Sequence, residues 1–440
     1  MLVIGGSIGG LLAANLLHRA GCDVTVFERA EEDLAGRGAG ISAHHGLLAI
    51  IRRICPQIDQ SIGVEVSTRI CLDRGGRITH QTEVPQFMSA WGRIYRLLKA
   101  AFPAARYRCG MQLERVEQDA GSVTAVFAGG LRIHGDLLVA ADGMRSTVRA
   151  QLMPEAQPVY AGYVAWRGIV DERDIPPAIH AEIFERYTFC LPEGEMMQSY
   201  PVPGRDDDTR PGHRGYNFVW YRPTDEHVLL PQLCTDAAGR RHGASIPPPL
   251  IRSEFIAELK ATAHATLAPQ IAEIVARTAE PFFHAICDLE SPRLTHGRVA
   301  LLGDAAFVAR PHVGMGITKA GLDAQCLTDA ITQAGGNIDA ALARYERERF
   351  QFGTRIVAEA RRLGAYLQAQ LKPRAERTAA ELQQRPEVVL REIGSPLVDI
   401  RDLESATIMT GTSQPRLIHH AYLSRVVAKR HQIWRDTVER

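Results

Sequence analysis

The sequence lacks the features that mark membrane, nucleic-acid-binding and metal- or disulfide-stabilised proteins. No apolar run reaches the roughly 18 residues that a membrane-spanning helix needs. The formal net charge is only +1, which gives no electrostatic signature of nucleic-acid or bilayer binding. The eight cysteines form no Cys-x-x-Cys pair, and the adjacent histidines at 44–45 and 419–420 lack the spacing of a helical metal site. We therefore predict no metal, no nucleic-acid partner and no membrane partner.

Length and composition are those of a globular protein. A chain of 440 residues is expected to hold two or three domains, and contents of 45% hydrophobic and 23% charged residues are ordinary. Neither internal repeats nor low-complexity stretches are present. Because the first predicted strand begins at the initial methionine, we expect no signal peptide and a cytoplasmic location.

A strand, a glycine turn and a helix open the chain. Gly5 permits the sharp turn, Gly10 allows the helix to pack closely on the strand, and the open helix N-terminus can receive a pyrophosphate. Ser7, flanked by Gly6, stands where the usual G-x-G-x-x-G pattern has its second glycine. Glu28 follows at the end of an apolar run, where an acidic side chain accepts hydrogen bonds from an adenosine ribose. The alternative for Glu28 is a surface glutamate on an ordinary βαβ unit.

A second glycine-rich segment lies about 300 residues later. The buried-strand pattern at 298–302 leads into Asp304, a carboxylate suited to accept hydrogen bonds from polyol hydroxyls. Gly314 and Gly316 allow the backbone to pass close under a flat ring before a helix begins near Ile317. The positive end of that helix favours negative charge on the ring, which a reduced flavin carries. An ordinary strand-loop-helix unit is the alternative, but together with Asp142-Gly143 in the middle of the chain the segments predict an FAD site.

The remaining pattern predicts an α/β fold with three parts. A Rossmann-like FAD/NAD(P)-binding domain is interrupted by an antiparallel β-sheet module for the substrate, and a helical, arginine-rich region follows. The predicted limits are 1–62, 92–157 and 285–350 for the FAD-binding domain, 63–91 and 158–284 for the substrate module, and 351–440 for the helical C-terminal region.

These motifs resemble those of the single-component FAD-dependent aromatic hydroxylases of the para-hydroxybenzoate hydroxylase fold, also called group A flavoprotein monooxygenases. The resemblance covers residues 1 to about 365. Its matching elements are Gly5–Gly10, Glu28, Ala140–Arg149, Gly303–Asp304 and Pro311–Gly316. Within the family, the members that hydroxylate hydroxypyridines are most similar, in the stretches 161–168, 200–205, 217–221 and 310–312.

The resemblance implies an activity. NADH or NADPH, docking only transiently, reduces the FAD, dioxygen adds at C4a, and the resulting hydroperoxyflavin hydroxylates a small electron-rich aromatic or N-heteroaromatic ring. The alternatives on this fold are an epoxidase, a reductase or a non-catalytic binding protein. The exact substrate, the choice between NADH and NADPH and a homodimeric state stay open.

The motifs and the resemblance together assign candidate site residues. The predicted cofactor-binding residues are Gly5, Gly6, Ser7, Ile8, Gly10, Glu28, Arg29, Gly40, Asp142, Gly143, Gly303, Asp304, Pro311, Gly314, Met315, Gly316 and Ile317. The resemblance also leads us to expect an arginine in the helix at 92–102 and, for Arg145 and Arg149, either nicotinamide docking or a place on the helix surface.

The catalytic candidates are His312, His45, His44 and Tyr216. His312 lies in the loop expected to face the flavin, and an unperturbed histidine pKa suits proton transfer near neutrality. The alternative for His312 is an anchor that holds the loop. One of the two neighbouring histidines is expected in the substrate cavity, with surface exposure as the alternative, and Tyr216 is a wall residue or a packing residue.

Overall fold

Two large β-sheets organise the computed structural model of the chain, which describes residues 1–36, 38–58, 62–243 and 245–395. The chain divides into a unit of residues 1–397 and a second unit of residues 398–440. Residues 396–440 of the helical C-terminal region predicted for 351–440 lie outside the described residues. Within the described part, no helix combines the length and the apolar character that crossing a bilayer demands.

The strands vary from two to thirteen residues in length. In chain order they are β1 (Leu2–Ile4), β2 (Thr25–Phe27), β3 (Gly40–Ala43), β4 (Val64–Leu72), β5 (Ile78–Ala90), β6 (Tyr107–Arg108), β7 (Leu113–Gln118), β8 (Val123–Phe127), β9 (Arg132–Gly135), β10 (Leu138–Ala140), β11 (Val159–Asp171), β12 (Arg186–Cys190), β13 (Met196–Val202), β14 (Gly215–Pro223), β15 (Phe282–Glu290), β16 (Thr295–His296), β17 (Val299–Leu301) and β18 (Phe307–Val308).

The helices vary from four to 31 residues in length. In chain order they are α1 (Ile8–Arg19), α2 (His45–Ile54), α3 (Trp91–Ala101), α4 (Thr147–Leu152), α5 (Pro177–Ile183), α6 (Leu229–Leu233), α7 (Ser253–Thr266), α8 (Pro269–Arg277), α9 (Gly316–Gln333), α10 (Ile338–Gln368), α11 (Ala379–Leu382) and α12 (Pro386–Glu392).

The smaller of the two large sheets is mostly parallel and carries the dinucleotide motifs. Its six strands have the order β16-β17-β10-β1-β2-β6, and only β16 runs antiparallel to its neighbour. The central strands β1, β10 and β17 are entirely buried, as expected where helices cover both faces. The chain leaves β1 toward β2 on one side and returns to β10 on the other. The topological switch point, where such folds bind ligands, therefore lies at the carboxyl ends of β1 and β10.

The larger sheet contains the strands of the segments 63–91 and 158–284, which the sequence assigns to the substrate module, together with strands from outside those limits. Its nine strands have the order β18-β15-β11-β14-β13-β12-β4-β5-β3, and every pair is antiparallel except β12 with β4. β3 pairs with β5 in this sheet, although its residues fall within the segment 1–62 that the sequence assigned to the FAD-binding domain. A further three-stranded sheet, β7-β8-β9, packs beside the parallel sheet. The domain limits themselves stay a prediction.

Alternation along the strands sends side chains of the larger sheet to two separate cores. In β14, Tyr216, Phe218 and Trp220 pack in the core that α7 and α8 cover. Val219 and Tyr221 point to the opposite face, where they pack with Tyr163, Tyr187, Tyr200 and residues of α12. We call this second face the tyrosine face. The period-2 geometry of a strand explains why neighbouring residues end up on different sides.

Candidate active site

A cleft of about 430 Å³ opens at the carboxyl ends of β1, β10 and β17. Its walls come from all four motifs that the sequence analysis identified. The predicted cofactor-binding residues that line it are Gly5, Ser7, Ile8, Glu28, Arg29, Asp142, Gly143, Gly303, Asp304, Gly316 and Ile317. The fold thus brings together segments that are separated by up to 300 residues of chain.

The glycine turn at the entrance to α1 fits a phosphate because no side chain intrudes. Gly5 has a φ of 99°, and a Cβ atom there would lie 2.4 Å from the carbonyl oxygen of Ala141. A Cβ on Gly10 would lie 1.9 Å from the carbonyl oxygen of Gly5, so only glycine lets the helix approach the strand this closely. Ser7 is the N-cap of α1, and its side chain forms no capping hydrogen bond. The first amides of the helix are therefore available to an anion at this end of the cleft.

Glu28 is held in place by two backbone amides. Gly6 donates to Oε2 at 2.7 Å, and Ala30 donates to Oε1 at 2.9 Å. The carboxylate is buried at the edge of the cleft and keeps lone pairs for ribose hydroxyls. The amide of Gly6 is thus engaged by Glu28, while the hydroxyl of Tyr107 donates to its carbonyl oxygen at 3.0 Å.

Asp142 also combines a fixed oxygen with a free one. Its Oδ2 accepts from the amides of Thr147 and Val148, at 2.8 and 3.3 Å, whereas Oδ1 is buried and has no partner among the described residues. Burial raises the pKa of this carboxyl. An orphaned buried acceptor in the cleft wall is what a cofactor hydroxyl or amide group would satisfy.

The two arginines after Asp142 have different environments. Arg145 is exposed on the cleft wall, where it is accessible to a nucleotide. Arg149 is buried and donates to the carbonyl oxygens of Ala156, Ala305 and Met144. Arg149 therefore ties the loops around the cleft together and is not free to contact a docking nicotinamide.

The arginines predicted in α3 do not line the cleft. Arg96 forms a bidentate pair with the carboxylate of Asp207, and Arg93 donates to the carbonyl oxygen of the same residue at 2.7 Å. Both side chains therefore connect α3 to the short helix Arg205–Asp207.

Asp304 and the start of α9 form the opposite wall. Gly303 has a φ of 62°, and its amide donates to Oδ2 of Asp323 at 3.2 Å. The Asp304 carboxylate faces the cleft without a hydrogen-bond partner in the described part of the chain, and the surrounding protein raises its pKa by desolvation. Below it, the buried Lys319 has its Nζ 3.6 Å from Oδ2 of Asp323, which also pairs with Arg349 at 2.7 Å.

These groups fit an FAD molecule. Two helix N-termini with free amides, at α1 and α9, suit its pyrophosphate and the electron-rich edge of its ring. Carboxylates with spare lone pairs, at Glu28, Asp142 and Asp304, suit its hydroxyl groups. In the described residues no group of three or more His, Cys, Asp or Glu side chains could hold a metal ion.

Six predicted cofactor residues do not line the cleft. Gly40 lies in β3, where its amide donates to Oδ1 of Asn217 at 3.0 Å and its carbonyl oxygen accepts from Arg167 at 2.6 Å. Met315 is the buried N-cap of α9. The other four are Gly6, Gly10, Pro311 and Gly314.

His312 lies in the loop of residues 309–315 between β18 and α9, which we call the cofactor loop, and its side chain packs against the tyrosine face. Its Nε2 is 2.8 Å from the hydroxyl oxygen of Tyr163, and its ring centroid is 4.5 Å from that of Tyr221. Nδ1 is buried and has no partner among the described residues. Burial, reinforced by the nearby Arg310, lowers the pKa of His312 to about 3. The expectation of an unperturbed pKa is therefore wrong for His312, because desolvation keeps the imidazole neutral at physiological pH.

The two neighbouring histidines have different environments. His44 is buried as the N-cap residue of α2, and its Nε2 lies 3.0 Å from the carbonyl oxygen of Gly314. Burial lowers the pKa of His44 to about 4, against the effect of that hydrogen bond. His45 is exposed in the first turn of the helix. His44 is thus the member of the pair that lies beside the candidate site.

Tyr216 lies on the far side of the larger sheet. Its hydroxyl donates to the carbonyl oxygen of Ile183 at 3.1 Å and lies 3.3 Å from Oγ of Ser199, within the core under α7 and α8. This position corresponds to the packing alternative for Tyr216. Tyr163 and Tyr221 are the tyrosines that face His312, and neither was among the candidates from the sequence. The alternation in β11 and β14 carries the signal, but it does not tell which face meets the cofactor loop.

Arg69 is a further buried residue near these tyrosines that the sequence did not indicate. It lies in β4, its side chain is completely buried, and it has no acidic partner in the described residues. It donates from Nη2 to Oε1 of Gln86 at 2.7 Å, and its guanidinium lies 5.1 Å from the ring of Tyr187. The sequence offers no signal for it, since a single arginine on an alternating strand usually faces solvent.

The chain is similar to known flavin-dependent hydroxylases. A family model described as FAD binding domain-like matches residues 160–288, and one described as an NAD(P)-binding Rossmann-like domain matches residues 3–52. The 2,6-dihydroxypyridine 3-monooxygenase of Paenarthrobacter nicotinovorans is 30% identical over 371 residues, which cover 83% of this chain and 91% of that protein. The 6-hydroxynicotinate 3-monooxygenase of Bordetella bronchiseptica is 28% identical, covering 80% and 88%.

The chain is also similar to solved structures of such hydroxylases. The 2,6-dihydroxypyridine-3-hydroxylase from Arthrobacter nicotinovorans superposes with a TM-score of 0.77 at 28% identity, covering 83% of this chain and 92% of that one. Klebsiella pneumoniae HpxO in complex with FAD and uric acid superposes with a TM-score of 0.70 at 26% identity, covering 93% and 96%.

Proposed function

This chain belongs to the FAD-dependent aromatic monooxygenases, and we propose that it hydroxylates a small, hydroxylated N-heteroaromatic ring of the hydroxypyridine type. Two electrons from NADH or NADPH and one molecule of dioxygen are consumed in each turnover. One oxygen atom enters the ring as a hydroxyl group, and the other leaves as water. A reaction that depends on NAD(P)H supports the proposal of a cytoplasmic location.

The cleft carries the cofactor part of this proposal. FAD, when bound, supplies the activation of dioxygen by electrons taken from the nicotinamide. The protein's contribution is to hold that cofactor through the amides at the start of α1 and α9 and through Glu28, Asp142 and Asp304. The exposed Arg145 on the cleft wall is our candidate for the transient contact with NADH or NADPH.

Buried polar atoms near the cofactor loop that lack hydrogen-bond partners in the described residues support the proposed class of substrate. Nδ2 of Asn217, Nε of Arg167 and Nε of Arg69 are buried donors without a partner in the described residues. Neither arginine has an acidic partner in that part of the chain. Buried N–H donors without acceptors favour a ligand that is rich in oxygen acceptors. Dihydroxypyridines, hydroxynicotinate and urate all present such oxo or hydroxyl groups on a small flat ring.

His312 is our candidate for orienting the substrate hydroxyl. A neutral imidazole whose Nε2 is paired with Tyr163 presents its remaining ring nitrogen as a hydrogen-bonding group in a dry site. Because its pKa is far below neutrality, we propose a hydrogen-bond relay toward Tyr163 rather than a base that stores a proton. His44 supports the same loop through the carbonyl oxygen of Gly314.

The proposal is tested by incubating the FAD-loaded protein with 2,6-dihydroxypyridine, 6-hydroxynicotinate and 3-hydroxybenzoate. We expect the first two rings to stimulate NAD(P)H oxidation and to yield a product that carries one atom from ¹⁸O₂. Stimulated oxidation that yields only hydrogen peroxide with every ring would overturn hydroxylation in favour of an oxidase or reductase. A colourless protein that takes up no FAD would support the non-catalytic alternative instead.

A further inference from the structure

The segment that follows α11 lies directly against the predicted reaction site. α12 and the next three residues, together Pro386–Ser395, cross the tyrosine face of the larger sheet. We call this stretch the closing segment. Val389, Leu390 and Ile393 are buried there in one cluster with Tyr163 and the other tyrosines of that face. The segment therefore covers the side of the sheet from which the tyrosines approach His312.

The end of the closing segment touches the cofactor loop itself. The amide of Gly394 donates to the carbonyl oxygen of His312 at 2.8 Å. A Cβ atom on Gly314 would lie 3.1 Å from Cα of Gly394, so the two backbones are nearly in contact. On its other side, a Cβ atom on Gly394 would lie 3.2 Å from the hydroxyl oxygen of Tyr187. With a φ of 65°, Gly394 adopts a backbone conformation that other residues rarely take.

A buried cation holds the segment in this position. Nη1 of Arg69 donates to the carbonyl oxygens of Leu390 and Ile393, at 2.9 and 2.7 Å. These oxygens lie at the C-terminus of α12, where the last carbonyl groups lack partners within the helix and favour a positive charge. Burial lowers the pKa of Arg69 to about 10, so the guanidinium stays charged near neutrality. The second guanidinium nitrogen is fixed by Gln86.

From these contacts we propose that the closing segment forms one wall of the substrate cavity and sets the size of the ring that enters it, with Arg69 as the positioning residue that holds the wall. The proposal rests on the hydroxylase function proposed above. A wall at Gly394 also excludes water from the site where dioxygen is activated. Displacement of the wall therefore admits both larger rings and water.

Two variants displace the wall by different routes. Arg69→Met removes both hydrogen bonds from Nη1 to the segment and keeps the approximate length of the side chain. Gly394→Ala leaves Arg69 intact but places a methyl group against the hydroxyl of Tyr187. The matched control is Arg391→Met, since Arg391 lies in α12 but its side chain is 69% exposed and, within the described residues, pairs with Glu392 alone.

The readouts are the ratio of kcat/KM for a dihydroxyquinoline to that for 2,6-dihydroxypyridine, and the yield of oxygenated product per NAD(P)H oxidised. In both wall variants we expect the ratio to rise about tenfold, KM for the smaller ring to rise, and the yield to fall as hydrogen peroxide increases. That change is the size expected from losing one well-formed buried contact. The control variant keeps the wild-type ratio and yield.

Unchanged ratio and yield in Gly394→Ala and Arg69→Met, with wild-type FAD content, would overturn the inference. If Arg69 has a purely structural role, Arg69→Met lowers the melting temperature and leaves the ratio unchanged. That outcome would also overturn the inference. Should Arg69→Met fail to fold, hydrogen exchange on the wild-type protein decides. We expect 2,6-dihydroxypyridine to slow exchange in residues 386–395, and no slowing contradicts the wall.

If the wild-type enzyme oxygenates none of the rings, the proposed function fails. Slowed exchange in the closing segment upon ring binding would still support the wall in that case. The two failures are therefore distinguishable.

Discussion

Single side chains at this site have properties that their sequence positions do not indicate. His312 was identified as a candidate from its place in a glycine-rich loop, but its neutral state follows from burial among Tyr163, Tyr221 and Arg310. Asp304 and Glu28 could be predicted because each follows a recognisable buried strand. Arg69 could not, because two of its three acceptors are backbone carbonyl oxygens more than 300 residues away in sequence.

At the residue scale we predict that Asp304→Ala removes bound flavin. The carboxylate faces the cleft and has no partner in the described protein, so its removal costs the cofactor contact and leaves the fold intact. The ratio of flavin to protein absorbance after gel filtration measures the effect, and circular dichroism checks the fold. Asp329→Ala, which removes an exposed carboxylate paired with Arg53, is the control. Full flavin content in Asp304→Ala would contradict the assigned role.

The buried histidines predict a loss of stability in acid. His312 and His44 have pKa values of about 3 and about 4 in the folded protein, against 6.5 in the unfolded chain. Their contribution to the free energy of unfolding is therefore complete above pH 6.5. It is lost as the pH falls toward 4, because only the unfolded state binds the protons. Together they contribute a slope of up to about 2.7 kcal/mol per pH unit.

Chemical denaturation between pH 6.5 and 5 measures that slope. We expect His312→Gln to reduce it by about 1.4 kcal/mol per pH unit, which corresponds to one proton. His227→Gln, at an exposed position, serves as the control and keeps the wild-type slope. Equal slopes in all three proteins would show that His312 takes up a proton in the folded state.

At the scale of single elements, the sequence predicts the positions of several helices to within a few residues. The helix after the glycine turn, the helix at 92–102 and the helix that begins near Ile317 are α1, α3 and α9 of the structure. Pairing is harder to predict, because hydrogen bonds between distant strands leave no local trace. The parallel pairing of β12 with β4 and the inclusion of β3 in the larger sheet are examples.

The close approach of α1 to the parallel sheet yields a prediction about two adjacent glycines. Gly10→Ala places a methyl group 1.9 Å from a backbone oxygen that cannot move aside, so we expect loss of FAD binding and a much lower melting temperature. Gly9→Ala is the matched control, because its Cβ would make only ordinary contacts, 3.5 Å from Ala320. In the control we expect unchanged or slightly increased stability, since alanine favours a helix by up to about 1 kcal/mol.

At the scale of the whole molecule, one buried ion pair connects the larger sheet, the cofactor loop and the long helix α10. Arg310 pairs with Asp288 of β15 at 2.7 Å and donates to Gln368 of α10 at 2.8 Å. Its own position is two residues before His312. The sequence suggested Arg310 only as part of a family-like stretch, since its partners Asp288 and Gln368 come from two separate parts of the chain.

We predict that Arg310→Met destabilises the protein by about 3–5 kcal/mol, because it leaves the buried carboxylate of Asp288 without this partner. Arg344→Met, which breaks an ion pair with Glu348 within α10, is the control and costs about 0.3–0.5 kcal/mol. Urea unfolding of the two variants measures the difference. Comparable decreases in the free energy of unfolding of both variants would mean that the buried ion pair of Arg310 stabilises the protein no more than the ion pair within α10 does.

The strand order of the larger sheet has a consequence for biosynthesis. One outer strand, β3, leaves the ribosome before every other strand of this sheet, whereas the other, β18, emerges only after some 260 further residues. Until β15 is synthesised, β11 is an unpaired edge strand of this sheet, and until β18 is synthesised, β15 is. Such an edge strand can pair with other nascent chains. Slow maturation and a dependence on chaperones during overproduction follow from this order, and lowering the growth temperature should raise the yield of correctly folded enzyme.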